Sequence, residues 1–196
     1  MFRFFSMILV FSLAMTLVLT NPGFSRGKDD GGGFSGGGGG GAGLSSAVTK
    51  AVVKSLSSGI GRCQTLKRVY RFDCYRQTYH LTANLLNGRP AYSGARKALV
   101  AVEETLKQIL ERHKDPNVAS IRKGFQTFIP VKPAAVPKVT AQLERALDQA
   151  ETVLLRAPER SGKHYARIAE AVHSSKVLLR SRLFPGMQNL FRMMFA

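Results

Sequence analysis

The chain has 196 residues, one domain's worth with tails, and 44% of them are hydrophobic, which excludes a wholly disordered protein. Lys and Arg number 29 against 12 Asp and Glu, a formal charge of +17 that excludes an acidic solvating role and points to an anionic partner. So few carboxylates leave few candidates for acid/base chemistry, and no catalytic motif is present.

Residues 1–25 read as a secretory signal. Arg3 supplies the only charge, an apolar run extends from Phe4 to Leu19, and Gly23 and Ser25 place small residues at the −3 and −1 positions of a cut after Ser25. The alternative is an uncleaved anchor: Phe4 to Thr20 is 17 residues, and about 17 is the lower limit for a membrane span. No cysteine lies near the cut, so lipoprotein processing is not expected. The mature product is expected to be periplasmic or secreted, soluble or peripheral.

Residues 26–43 form a glycine-rich linker that holds eleven of the nineteen glycines, with an unbroken run from Gly36 to Gly41. Such a segment buries too little surface to offset its ordering entropy and is expected to be a flexible coil. It acts as a spacer or is simply a tolerated tail. It lacks the Gly-Lys-Ser/Thr ending of a phosphate-cradling loop.

Residues 44–183 read as the folded, all-α domain, a bundle of about four main helices. A short amphipathic helix is expected over Leu44–Leu56, with Leu44, Val48, Val52 and Leu56 every fourth residue and Gly59 and Gly61 closing it. Arg62–Leu86 is a second helical region, with a break placed near Asp73. Ala95–His113 is the clearest helix: Leu99, Val102, Leu106, Ile109, Leu110 and His113 share a stripe, with Glu103, Glu104, Lys107 and Glu111 off it. Val118–Lys138 carries Pro130, Pro133 and Pro137, which argue against helix. It reads as a crossover whose Phe125, Phe128, Ile129 and Val131 pack over the bundle edge, and no convincing strand is visible. Thr140–Arg156 follows, with Val139, Leu143, Ala146, Leu147, Ala150 and Leu154 inward. Ser161–Leu183 is the last long helix, turning Tyr165, Ile168, Ala169, Val172, Leu179 and either Lys176 or Val177 inward.

Cys63 and Cys74 are the only cysteines. In an exported chain an even count suggests a disulfide. On one straight helix they would stand roughly 16 Å apart, whereas a disulfide needs Cα atoms within about 7 Å. Either the chain turns between them and they bond, or the helix is continuous and they do not. The bond is favoured, with Asp73 as N-cap of a helix starting at Cys74 and Val69, Tyr70 and Phe72 disfavouring an unbroken helix. A redox Cys-x-x-Cys pair is absent.

Cys63 together with Arg71-Phe72-Asp73-Cys74-Tyr75 resembles a pattern of small exported bacterial envelope proteins, in which a first Cys is followed after about ten residues by Arg, an apolar residue, any residue, Cys and Tyr. The resemblance implies a bonded pair stapling a helical hairpin and an envelope location. It implies no catalytic residue.

His80, His113, His164 and His173 show no pair three or four apart, so a local helical metal site is absent. Glu144, Asp148 and Glu151 share a helix face and suit either a hard cation or, more plainly, solvent. No metal or cofactor is expected, and an enzyme is not.

The positive charge is spread over three segments. Residues 62–88 carry Arg62, Lys67, Arg68, Arg71 and Arg76 against Asp73; residues 116–138 carry Arg122, Lys123, Lys132 and Lys138; residues 161–196 include Arg180 and Arg182. The expected anion-binding set is Arg62, Lys67, Arg68, Arg71, Arg76, Arg122, Lys123, Arg180 and Arg182. After Pro185-Gly186, within a tail over 184–196, Met187, Leu190, Phe191, Met194 and Phe195 recur at helical spacing and are candidates for membrane contact, for a partner or for docking on the bundle. The reading is a basic exported protein that binds an anionic envelope polymer, lipid headgroups or an envelope protein. A nucleic-acid binder is the first rival, and an envelope hydrolase using Glu103, Glu104, Glu144 or Glu151 the second.

Overall fold

The computed structural model describes residues 43–181. The signal, nearly all of the linker, the apolar tail and Arg182 therefore lie outside the described residues. Five α-helices are present among them: α1 (Ser46–Gln64), α2 (Arg68–Asn84), α3 (Ser93–His113), α4 (Val136–Leu155) and α5 (Glu159–Ser181). Each packs on the next, and α5 returns to pack on α1, so the bundle closes on itself. A short antiparallel hairpin, β1 (Ile121–Lys123) and β2 (Gln126–Phe128), projects from the α3–α4 crossover. No helix among the described residues is long and apolar enough to cross a membrane.

The stripes of α3 and α4 fall where their periodicity places them. Leu99, Val102, Leu106, Ile109 and Leu110 of α3 are buried, as are Val139, Leu143, Ala146, Leu147, Ala150 and Leu154 of α4. In α5, Tyr165, Ile168, Ala169, Val172 and Leu179 turn inward, but the fourth-turn position goes to Ser175, whose hydroxyl donates to the Ala171 carbonyl. Val177 is half exposed instead. A hydroxyl that bonds its own helix backbone is neutralised as a polar group, which lets serine sit where an apolar residue was expected.

The first helix is longer than its apolar repeat suggested. Gly59 and Gly61 do not close it; it runs to Gln64 and buries Thr49, Val52, Leu56, Gly59, Ile60 and Cys63. The two glycines differ in what surrounds them. A Cβ on Gly59 would collide with the Thr78 side chain of α2, whereas a Cβ on Gly61 meets nothing within 4 Å. Gly61→Ala is therefore expected to stabilise the domain by up to about 1 kcal/mol, the helix-propensity difference. Gly59→Ala is expected to destabilise it, because the same propensity gain is outweighed by overpacking of about 1–3 kcal/mol. Denaturant midpoints of the two variants, falling on opposite sides of the parent, check this.

Cys63 and Cys74 are bonded, with Cα atoms 5.6 Å apart. The turn that permits this is not at Asp73. It occupies Thr65–Lys67, and Asp73 and Cys74 both lie inside α2. The amides of Thr65 and Leu66 bond the carbonyls of Arg62 and Cys63, and the Thr65 hydroxyl also donates to Arg62. Arg71 reaches back with Nε to the Leu66 carbonyl and with its terminal nitrogens to the carbonyl and side chain of Gln64. Turn carbonyls left open by the end of α1 are thus satisfied from within α2. Val69, Tyr70 and Phe72 remain helical because Tyr70 and Phe72 are buried, and packing outweighs a propensity loss of a few tenths of a kcal/mol each. The closed loop is short, so the bond's stabilisation is of the order of 2–3 kcal/mol.

The crossover also departs from expectation. Its prolines do not keep helix away: Pro133 opens a 3-10 turn (Pro133–Ala135), and Pro137 sits in the first turn of α4, where no backbone N–H is required. The strand pair was not visible because each strand is only three residues long. Phe128 and Val131 are buried, but Phe125 at the hairpin tip is wholly exposed and Ile129 is 37% exposed.

Tyr75 and Tyr79 of α2 sit deep between the helices. Burial pushes the Tyr75 phenol up from 10.0 to about 12, partly opposed by the Arg71 charge and the Gln64 hydrogen bond. Burial raises Tyr79 as well. Its hydroxyl makes no hydrogen bond. In the unfolded chain both phenols ionise near pH 10. Folded pKa values raised above that level mean that their contribution is whole below about pH 10 and is lost as pH rises from there toward 12. The melting temperature is therefore expected to fall steeply above pH 10, with the phenolate absorbance of these two tyrosines appearing only with unfolding.

Candidate anion-binding cleft

The crossover is tied down at both ends. Lys114 leaves α3 with its amide on the Leu110 carbonyl, and the returning strand closes on it: Asp115 donates its amide to Pro130, and Lys132 donates its amide to His113. The far side is fixed to α2 through the Val131 amide to the Val69 carbonyl and the Tyr70 hydroxyl to the Ala119 carbonyl.

Asp73 is the central fastener. Its side chain is 1% exposed. It accepts Arg76 Nε at 2.8 Å, the Ile129 amide at 3.0 Å and Gln77 Nε2 at 3.3 Å, while Gln77 also donates to the Thr127 carbonyl. A buried carboxylate with a guanidinium and an amide upon it is satisfied. It fixes Arg76 on one side and Ile129 on the other.

Between these parts lies a cleft of about 600 Å³. Its walls are Arg76 of α2, Lys107, Leu110 and Glu111 of α3, Lys114 just past its end, and Pro116, Ile129 and Lys132 of the crossover. Lys107, Lys114 and Lys132, with Arg76 already paired to Asp73, line it beside the one carboxylate Glu111 and the apolar Leu110, Pro116 and Ile129. A single anion about 4 Å from one cation gains roughly 1 kcal/mol in water and about 4 kcal/mol at a protein surface. Several cations around one cleft therefore outweigh Glu111. The exposed Lys107–Glu104 pair, at 3.8 Å, adds little opposition.

Of the nine expected anion-binding residues, only Arg76 enters this cleft. Arg62, Lys67 and Arg68 are exposed around the α1–α2 turn, and Arg71 is engaged in holding that turn. Arg122 and Lys123 lie on β1, away at the hairpin. The Arg180 side chain and Arg182 lie outside the described residues, as do Met187, Leu190, Phe191, Met194 and Phe195. Lys107, Lys114 and Lys132 were missed. One signal in the sequence marks the neighbourhood of Lys132 alone: from Pro116 to Leu143 there is no Asp or Glu.

The acidic and histidine candidates serve helix contacts. Lys176 of α5 meets Asp148 at 2.6 Å and Glu151 at 3.0 Å, and both hydrogen bonds hold the lysine pKa above its usual value. His173 also contacts Glu151, at 3.0 Å. Glu144 has a contact too, so these carboxylates are not left open. Across the bundle, His80 Nδ1 lies 2.7 Å from Glu103. His164 Nδ1 lies 2.7 Å from the Thr49 hydroxyl, which in turn meets the Tyr92 hydroxyl at 2.8 Å. Tyr92 stacks on Tyr165, so the start of α1 is joined to α5 and to the turn before α3. No group of three or more metal-ligating side chains is present among the described residues.

Comparison of the chain with models of protein families, with curated proteins and with solved structures gives no match.

Proposed function

We propose that this chain is an exported, non-enzymatic helical protein that binds an anionic component of the cell envelope through the cleft of Arg76, Lys107, Lys114 and Lys132. The observation that carries the reading is the cleft itself: converging cations over an apolar floor suit an anion with an apolar portion. The leader-like residues 1–25 and the Cys63–Cys74 bond support an extracytoplasmic setting. Outside the cytoplasm the available polyanions are lipid headgroups and wall or surface polymers. Nucleic acid has less in its favour there, and of the carboxylates a hydrolase would use, Glu151 is engaged with Lys176 and His173 and Glu103 with His80.

The test is binding of the parent and of Lys107→Gln/Lys114→Gln/Lys132→Gln to vesicles of equal phosphatidylglycerol and phosphatidylcholine, and to soluble polyphosphate, across a salt series. Parent affinity is expected to fall with salt. The triple variant is expected to bind at least about tenfold more weakly, at ~1 kcal/mol per lysine near an anionic surface. Equal affinity of the two proteins, or binding that ignores salt, would sink the reading. A DNA arm with a steeper salt slope than either envelope anion would favour the nucleic-acid rival.

A further inference from the structure

We infer that the β1–β2 hairpin is a membrane wedge that drives Phe125 into the headgroup region of an anionic bilayer. The tip is a two-residue turn between the paired Lys123 and Gln126, with Gly124 at φ +59 and Phe125 100% exposed. Scattered exposed apolar residues are ordinary, but this one is held out on a fixed stalk. The base of the hairpin is pinned by buried Phe128, by Gln77 on the Thr127 carbonyl and by Asp73 on the Ile129 amide. Within the tip, Arg122 Nε donates to the Gly124 carbonyl at 3.1 Å. The ring's outward position is thus built into the bundle.

The charge around the tip selects the occupant. Arg122 and Lys123 precede the ring, and the opposing strand offers the uncharged Gln126 and Thr127. No carboxylate lies anywhere from Pro116 to Leu143. An apolar ring beside two cations, in a segment without a carboxylate, matches an anionic lipid interface. The ring enters the boundary between headgroups and acyl chains while the cations stay at the phosphates. The inference deepens the envelope reading by naming a lipid bilayer as the surface, and rests on it only for where such a bilayer is met.

The chain has no Trp, so Phe125→Trp places the sole indole at the tip of the otherwise intact full chain. With equal phosphatidylglycerol and phosphatidylcholine, its emission is expected to move to shorter wavelength and to be quenched by brominated acyl chains. With phosphatidylcholine alone it is expected to stay unshifted. Phe125→Ala is expected to weaken partitioning about tenfold, and Arg122→Gln/Lys123→Gln about tenfold or more, with the melting temperature of each unchanged.

If the Phe125→Trp chain binds anionic vesicles with its indole still in water, or if Phe125→Ala binds as well as the parent, the wedge is overturned while the cleft reading stands. Absence of vesicle binding with retained polyphosphate binding has the same meaning and directs the tip to a protein partner. Loss of both bindings overturns both readings. A blue-shifted indole when Phe125→Trp is combined with the triple lysine variant would show the tip entering lipid without the cleft.

Discussion

Leu106→Asp is expected to leave the chain without a folded bundle. Leu106 is fully buried in the middle of α3, the helix that packs against both α2 and α4. The substitution forfeits about 1.5–3 kcal/mol of apolar burial and places an unpaired carboxylate among apolar side chains, at several kcal/mol more. A domain of this size has about 5–15 kcal/mol in total. Circular dichroism and size-exclusion chromatography should show lost cooperative melting and an expanded or aggregated chain. Glu104→Lys, close by in sequence but 51% exposed, is expected to stay within about 0.5 kcal/mol of the parent. If Leu106→Asp melted like the parent, the bundle would not be built around this stripe.

Asp73→Ala is expected to cost about 3–5 kcal/mol, the range for breaking a buried pair. The cost has a specific origin. The Ile129 amide and Arg76 lose their shared acceptor at once, and one of the ties between the crossover and α2 is cut. Asp73→Asn keeps one acceptor oxygen and is expected to recover part of the loss. Amide exchange at Ile129 separates this from a general weakening: it should accelerate more in Asp73→Ala than exchange at core amides such as that of Leu106. Exchange at Val131 and Lys132 should change less, because their amides stay on the Val69 and His113 carbonyls.

The contrast between these two residues shows what the sequence disclosed. Leu106 was legible because a helix repeats every 3.6 residues, and the apolar side chains from Leu99 to Leu110 on α3 keep that period. The same holds for α4 and most of α5, so the all-α bundle could be read directly. Asp73 was legible only as a polar residue suited to a helix start. Its burial depends on the Ile129 amide, 56 residues away, and no local pattern carries that information.

The disulfide was half legible. Distance arithmetic required a turn somewhere between Cys63 and Cys74, and the turn exists. Its place was set by Arg71 bonding back to Gln64 and Leu66, a tertiary arrangement that propensities at Val69 and Tyr70 do not foretell. Gly59 misled for a related reason: it is a close-packing point against Thr78 rather than a helix end. The cleft was the least legible part. Lys107 and Lys114 look like ordinary solvated lysines along α3, and Lys132 lies in a proline-rich connection. Only the return of the crossover to His113 brings them together.

If this basic bundle works outside the cytoplasm, as proposed, its cations meet envelope anions and Cys63 and Cys74 stay bonded in the cell. The direct measurement is mass spectrometry of the native chain from its own cells, after fractionation and immediate thiol alkylation. The expected result is a chain in the envelope or medium fraction, beginning after Ser25, with neither cysteine alkylated. A cytosolic chain that retains Met1 and is alkylated at both Cys63 and Cys74 would contradict it.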